Sequence, residues 1–242
     1  MFLFSIGRRI RLVVFTAIAA AACLACGTLF LVVLSPRQAL EARRIERMPA
    51  LDAATLASVP SGEAVLVTGR LVDNALLARD RFVAYSLEEW IVAPANHATP
   101  DAKPSGSWQK VEFVVPALVL NAGGGTVTTL GTSDVSLSGS LHEETIYSNA
   151  YRGAEDVGGK WVPAGSQRYR GFFNGDVITV LGKKASTGEI IPEQLYAGDR
   201  VAFVESKREA ARGLLTAGLC LIGLAPLVLA GGVLAAVLGR WR

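Results

Sequence analysis

The residues of this chain that could perform chemistry are few and far apart. Its two histidines are His97, in a stretch rich in proline and alanine, and His142, which precedes Glu143 and Glu144. A zinc site needs three or four Cys, His or carboxylate ligands, and neither histidine has companion ligands at a recognisable spacing. We therefore expect no metal site, and we interpret His142 as a solvated residue at the end of a strand.

Two aspartates, Asp176 and Asp199, each follow a glycine. Paired carboxylates can act as general acid and base. An aspartate beside glycine is, however, typical of turns, where its carboxylate accepts hydrogen bonds from nearby backbone amides. Gly123-Gly124-Gly125 lies between strand patterns instead of opening a phosphate-binding helix, and no serine stands in a nucleophile-elbow context. We therefore expect neither catalysis nor a bound cofactor.

The three cysteines form no redox or metal motif. Cys23, Cys26 and Cys220 lie inside long apolar stretches, so none can join a disulfide in the polar region between those stretches. The order Cys23-Leu24-Ala25-Cys26 partly matches a lipoprotein cleavage box, but a cysteine stands where leucine is expected, and apolar residues continue to Leu34. We expect a retained anchor.

Two stretches are long and apolar enough to cross a bilayer. Residues 12–34 are 23 residues without a charge and residues 213–239 are 27, whereas a hydrocarbon core needs about 20 residues of helix. A soluble helix of that length would carry a polar face. We predict transmembrane helices at both places, with Ser35-Pro36 ending the first and Pro226 kinking the second.

Basic residues gather at the ends of these stretches. Residues 48–206 keep 12 of the 24 Lys and Arg against 18 Asp and Glu, a formal charge of −6. An acidic domain repels phosphate backbones, so we expect no nucleic-acid partner. The basic flanks suit lipid headgroups instead. Arg208 and Arg212 are predicted lipid contacts, and Trp241, between Arg240 and Arg242, is a predicted interfacial anchor.

Two spans would place both termini on one side of the membrane. Residues 1–11 and 240–242 carry arginines and no acidic residue, which the positive-inside rule assigns to the cytoplasm. The region between the spans also has basic residues near the membrane, but long translocated domains are largely exempt from this rule. We expect a multi-pass protein of a cell (inner or plasma) membrane, with its polar domain outside the cytoplasm.

The polar region divides into a helical linker and a β-rich domain. Residues 35–61 are predicted to be a juxtamembrane helix and linker, because QALEARRIERM is helical in composition. Residues 62–206 alternate apolar and polar residues in about seven short segments separated by turn residues. We predict a membrane-anchored all-β domain between two transmembrane helices, a small barrel or a sandwich, with an OB-like barrel possible.

The late part of this domain has the clearest strand signal. In RYRGFFNGDVITVLGKK, residues 168–184, β-branched and aliphatic residues follow the turn pair Asn174-Gly175, and GEIIPEQLYAGDRVAFV continues from residue 188. Together they predict a hairpin. Residues 108–121 predict a strand pair broken at Pro116. Residues 148–167, with four glycines, predict a long loop.

The tryptophans divide into core and surface candidates. Trp90, Trp108 and the Phe172-Phe173 pair fall in strand patterns and are predicted to be mostly core. Trp161 lies in the glycine-rich loop. If it is exposed, it is a candidate contact for a partner protein or for lipid headgroups.

The order of these segments resembles the GIDE or "beside a membrane" (BAM) domain of mitochondrial membrane-anchored ubiquitin ligases and their bacterial relatives. A span is followed by VLVTGRLV, FVAYSLEEWIV, WQKVEFVVPALVLNAGGGTV and RYRGFFNGDVITVLGK, then by a basic segment and a second span. The resemblance implies a β-rich domain held at a bilayer. In the eukaryotic ligases a zinc-binding RING finger follows the second span. No Cys or His follows it here, so we expect no ubiquitin transfer.

We expect a non-catalytic binding or scaffolding module at a membrane surface, with lipids and an unidentified membrane or envelope protein as partners. The rival hypothesis is an accessory or sensor subunit of a larger transport or envelope-stress complex, assembled through the second span. Gly231 with Ala235, or Gly232 with Ala236, are small residues four apart that could let helices approach, including those of a homo-oligomer. An enzyme would require activity that depends on His142 or Asp176.

Overall fold

The computed structural model describes residues 2–93 and 104–238. His97 and Trp241 lie outside the described residues. The chain forms two compact units: a helical unit made of residues 1–47 and 204–242, and a β-rich unit made of residues 48–203. The linker predicted at 35–61 is thus divided, because its helix belongs to the first unit and its remainder to the second.

The first helical segment of the helical unit runs without interruption past the predicted span. Helix α1 (Phe2–Leu29) continues through a π-helical turn (Phe30–Leu34) into helix α2 (Ser35–Arg47). The prediction that Ser35-Pro36 ends the helix is therefore wrong. The Ser35 amide donates to the Phe30 carbonyl, five residues back. This widened turn directly precedes Pro36, which has no amide to donate, and such turns are one way for a helix to accommodate proline.

Helix α4 (Arg200–Leu238) begins well before the span predicted at 213–239 and continues through Pro226. By length and composition, Val13–Arg47 and Arg200–Ala235 are each apolar enough to cross a membrane. Residues 35–47, after the first apolar stretch, and residues 200–212, before the second, are therefore helical and continue the helices of those stretches.

Small residues allow α1 and α4 to approach closely. A Cβ atom added to Gly218 would lie 2.8 Å from Leu31 Cγ, and one on Gly27 would lie 2.8 Å from Ile222 Cγ1. A Cβ on Gly232 would lie 2.3 Å from Thr16 Oγ1, whereas one on Gly231 meets nothing within 4 Å. Of the two predicted small-residue pairs, the one containing Gly232 is thus used within the chain, and only Gly231 stays open.

In the β-rich unit, residues 48–93 and 104–203 form a short helix, α3 (Ala53–Ser58), and twelve strands. The strands are β1 (Ala64–Leu71), β2 (Phe82–Val92), β3 (Gly106–Val114), β4 (Val119–Ala122), β5 (Gly125–Thr128), β6 (Ser136–Gly139), β7 (His142–Ile146), β8 (Gly153–Glu155), β9 (Trp161–Pro163), β10 (Gln167–Phe173), β11 (Val177–Lys184) and β12 (Ile190–Ala197). The break at Pro116 is confirmed, since it separates β3 from β4. The long loop predicted at 148–167 is wrong in part, because β8 and β9 lie within it.

The strands form two main sheets and a small hairpin. The larger sheet has the order β5-β4-β1-β11-β12-β6, the smaller β3-β2-β10-β7, and β8 pairs with β9. Each main sheet ends in two different strands, so neither closes into a barrel. The barrel and OB-like alternatives are therefore wrong for the described residues. A core of fully buried side chains from both sheets, such as Val67 and Val180 of the larger and Val83 and Phe172 of the smaller, holds them together.

The predicted late hairpin is confirmed in one half. Strands β11 and β12 pair antiparallel, from Ile178–Ala197 at one end to Lys184–Ile190 at the other. Strand β10, by contrast, pairs with β2 and β7 in the other sheet. The Asn174-Gly175 turn, where Gly175 has a φ of +92°, therefore carries the chain from the smaller sheet to the larger.

Helix α3 is held at both ends. The Asp52 carboxylate accepts the Thr55 amide at 2.7 Å, and the Thr55 hydroxyl accepts the Asp52 amide at 2.9 Å. The Thr55 hydroxyl also donates to the Asp52 carboxylate at 2.6 Å, and this bond, followed by that from the Thr55 amide, lowers the pKa of Asp52. At the other end, the buried Lys184 ammonium donates to the carbonyls of Leu56, Ala57 and Val59 at 2.7 to 2.8 Å. The lysine thus supplies donors to carbonyls at and just beyond the last turn of α3, of which that of Leu56 also accepts the Val59 amide at 3.2 Å.

We expect Lys184→Met to destabilise the β-rich unit by roughly 2 to 4 kcal/mol, because it removes three hydrogen bonds that a buried ammonium donates to the end of α3. The measurement is urea unfolding of the full chain in detergent, followed by tryptophan fluorescence. Lys183→Met is the matched control, since Lys183 is exposed and pairs only with Glu193, at 3.3 Å. Equal effects of the two variants would contradict a special role for Lys184.

Candidate functional site

The structure joins two residues that the sequence analysis treated separately. His142 Nε2 lies 3.0 Å from Asp176 Oδ1, and the imidazole stacks on Phe173 with ring centroids 4.0 Å apart. Strand β7 pairs with β10, which sets His142 opposite Gly171 and beside the turn. His142 and Asp176 are 34 residues apart in sequence, so no local pattern predicts their contact.

The geometry of both aspartates agrees with the turn interpretation. The Asp176 carboxylate accepts the Phe173 amide at 2.8 Å, and the Asp199 carboxylate accepts the Ala202 amide at 2.8 Å in the first turn of α4. Among the described residues, no group of three or more His, Cys, Asp or Glu side chains could hold a metal ion. The carboxylate of Asp176 can orient the His142 ring. The same carboxylate stabilises the turn between the two sheets.

Trp161 lies in strand β9 and is 52% exposed. Alternation along the strand turns Val162 inward and Trp161 outward. The indole lies across Gly153 of β8, where a Cβ atom would come within 2.8 Å of the ring. Val157, in the turn between β8 and β9, and Tyr151, two residues before β8, are both fully exposed. Neither was identified from the sequence, where only their apolar character in a glycine-rich stretch distinguishes them.

The hairpin is attached to the smaller sheet through an aromatic contact. Trp90, Ala154 and Val162 form a buried cluster, and the rings of Trp90 and Trp108 lie 5.1 Å apart. The hairpin turn is also ordered, because the Asp156 carboxylate accepts the amides of Gly158 and Lys160 at 2.9 and 2.8 Å. Trp161 is therefore exposed on a supported element.

A groove of about 650 Å³ separates the hairpin from the beginning of β3. We call it the Trp161 groove; its lining residues are Pro104, Ser105, Gly106, Glu155, Asp156, Val157 and Trp161. Its large apolar side chains are Val157 and Trp161, and its charged residues are both acidic. Such a lining suits a ligand with an apolar group and a positive charge.

Arg208 and Arg212, the predicted lipid contacts, lie in a second groove, in the helical unit. This groove of about 410 Å³ runs between α2 and α4, and we call it the basic groove; it is lined by Ser35, Ala39, Ala42, Arg43, Glu46, Arg208, Ala211, Arg212 and Leu215. Arg208 donates to both carboxylate oxygens of Glu46 at 2.8 Å. Arg212 lies 3.2 Å from Glu205 but its side chain is 72% exposed.

The position of the basic groove fits a headgroup. Arg212 immediately precedes the uncharged stretch 213–239, so its guanidinium lies where a span would meet the polar boundary of a bilayer. Arg43 of α2 is exposed and lines the same groove. Arg43 and Arg212 are thus the cations most accessible to a phosphate, while Arg208 is engaged with Glu46.

Comparison with family models, with curated proteins and with solved structures finds no match to this chain. The likeness to GIDE/BAM domains therefore rests on the sequence pattern alone.

We expect the double variant Arg43→Gln/Arg212→Gln to lower enrichment of phosphatidylglycerol over phosphatidylcholine about thirtyfold, since each of the two basic residues contributes about 1 kcal/mol near an anionic surface. The measurement is native mass spectrometry of lipids retained by the purified full chain. The matched control is Arg44→Gln/Arg47→Gln, which removes the same charge from exposed positions of α2 outside the groove. Equal losses would indicate general surface charge instead of a groove.

Proposed function

We propose that this chain is a membrane-anchored binding module, in which two helices cross a bilayer and the β-rich unit captures a partner protein. The observation that supports this most is the exposed Trp161 beside its groove. Large aromatic side chains that stay half-exposed on an ordered element are characteristic of binding surfaces. Val157, which is fully exposed and lines the same groove, extends the apolar surface.

We infer no catalytic role. Of the two residues on which catalysis would depend, Asp176 bonds the Phe173 amide within the turn and His142 stacks on the Phe173 ring. Among the described residues that line the Trp161 groove there is no histidine, cysteine or lysine. Binding without chemical conversion is the activity that these groups support.

The GIDE/BAM resemblance supports the same proposal. It would make this chain a member of that group without RING-dependent ubiquitin transfer. We further propose that the β-rich unit lies outside the cytoplasm of a cell membrane, with lipids at its basic flanks and a membrane or envelope protein as the partner.

Sidedness has a direct test. In a background with the native cysteines replaced by alanine, we expect Ser186→Cys, in the exposed turn between β11 and β12, to react with a membrane-impermeant maleimide on intact cells. Ser5→Cys, on the opposite side in this topology, should react only after lysis. The reverse pattern would place the β-rich unit in the cytoplasm.

The alternative is an accessory or sensor subunit that assembles through its helices. One observation favours it: Gly231 meets nothing within 4 Å, so a small residue of α4 faces outward, as at helix–helix contacts. Because Gly232 contacts Thr16 of the same chain, a substitution there would disturb the chain itself. Gly231→Leu is therefore the cleaner test of helix-mediated assembly.

The two proposals separate in a cross-linking experiment. A photoreactive phenylalanine analogue at Val157 should yield a discrete cross-linked protein in intact membranes, and Trp161→Ser should reduce its yield severalfold. The same analogue at Val177, which is 38% exposed on another surface, is the control position. Loss of the product on Gly231→Leu but not on Trp161→Ser would favour the subunit alternative.

A further inference from the structure

Strand β3 is an open edge of the smaller sheet. It is nine residues long, and its antiparallel pairing within the described chain is with β2 alone. The other sheet edges are shorter: β5 and β6 have four residues each and β7 has five. An edge strand leaves alternate backbone donors and acceptors unpaired, and an extended segment of another chain can use them.

The hydrogen bonds around β2 show which groups of β3 point outward. The Ala93 amide donates towards β3, to the Ser105 carbonyl at 2.9 Å. The Trp90 amide donates away from β3, to the Ser166 carbonyl beside β10 at 2.8 Å. Hydrogen-bonded and non-hydrogen-bonded pairs alternate along an antiparallel ladder. Trp90 and Trp108 thus form a non-hydrogen-bonded pair, and the backbone N–H and C=O of Trp108 face outward from the sheet.

The same alternation applies to Lys110, which lies opposite Glu88 at the last position before a bulge. Trp108 and Lys110 therefore offer two successive outward pairs of donor and acceptor. Strand β8 already touches the beginning of this edge, through a parallel bridge between Ser105 and Glu155. The edge beyond this bridge continues directly from the Trp161 groove.

A buried donor lies at the same place. The Trp90 side chain is 2% exposed, and its Nε1 has no hydrogen-bond partner among the described residues. A Cβ atom added to Gly106 would lie 2.7 Å from this nitrogen, so the indole N–H lies against the first residue of the edge strand. A buried polar group without a partner is uncommon and costly.

We propose that the edge of β3 and the Trp161 groove together bind an extended peptide segment of a partner protein by strand addition. The backbone of the segment pairs with Trp108 and Lys110, and an aliphatic side chain enters the groove against Trp161 and Val157. Basic side chains of the segment face Glu155 and Asp156. This inference rests on the proposed binding function and specifies its partner class.

Charge selects this occupant over a second copy of the chain. Residues 48–206 have a formal charge of −6, so two such units would repel each other. A lysine- or arginine-containing segment is attracted by the same field and by the two acidic residues of the groove.

The experiment uses the full chain in nanodiscs of neutral phosphatidylcholine, so that basic peptides do not adsorb to lipid. The probe is a short fluorescent peptide in which lysine alternates with valine and leucine, and binding is followed by anisotropy. We expect saturable binding that weakens about tenfold with Trp161→Ser and not with Val177→Ser. Replacing the lysines of the probe by glutamate should abolish binding.

Strand addition has its own controls. Lys110→Pro removes an outward amide and should weaken binding, whereas Lys110→Ala keeps the amide and should not. If Lys110→Pro fails to fold, a probe that is N-methylated at alternate amides tests the same contact without changing the protein, and it should not bind. Equal binding of the methylated and unmethylated probes would overturn strand addition.

The remaining outcomes separate this inference from the proposed function. Dimerisation of the chain that competes with the probe would identify a second copy as the occupant and overturn the peptide assignment. A probe that does not bind, while the Val157 cross-link persists and depends on Trp161, would overturn the peptide class and leave the binding module in place. Absence of both would remove the two proposals together.

Discussion

The Lys184 ammonium joins helix α3 to the larger sheet. The packing of α3 against the hydrophobic core depends on this contact. A helix of six residues does not persist alone in water. The ammonium has three donors, and three carbonyls at the end of α3 accept them. A buried positive charge is thus satisfied without a carboxylate. With Asp52 at its other end, α3 then places Leu56 against the core.

A second polar contact determines how the two sheets meet. Asn174 donates its amide to the Asn74 carbonyl at 2.8 Å, and the Asn74 side chain both donates to the Val119 carbonyl at 3.0 Å and accepts the Val119 amide at 2.8 Å. The turn that leaves the smaller sheet is thereby bonded to a loop and a strand of the larger one. Asn74 is buried and its side-chain groups are paired, and a paired polar network favours one arrangement over the alternatives.

The two candidate surfaces are the Trp161 groove with the edge of β3, and the basic groove of the helical unit. In the β-rich unit, Trp90 attaches the β8–β9 hairpin to the sheet, and the hairpin contacts only the beginning of β3. The remaining edge and the outward face of Trp161 stay available. In the helical unit, Arg208 is paired with Glu46, so the exposed Arg43 and Arg212 carry the accessible charge.

The sequence alone determined the features that depend on local composition. The two apolar stretches, the basic flanks, the β-rich middle, the break at Pro116 and the turn at Asn174-Gly175 are properties of neighbouring residues, and the structure has all of them. Trp161 was identified because an aromatic residue stands out in a glycine-rich stretch.

Tertiary structure alone decided the features that depend on pairing over long distances. Strands β10 and β11 are adjacent in sequence but belong to different sheets, because β10 pairs with β2 and β7 and β11 with β1 and β12. The contacts of Lys184 with α3, of His142 with Asp176, and the open edge of β3 all follow from that partition. Their residues are separated by tens of positions in sequence, and no local pattern encodes which strand becomes the neighbour of which.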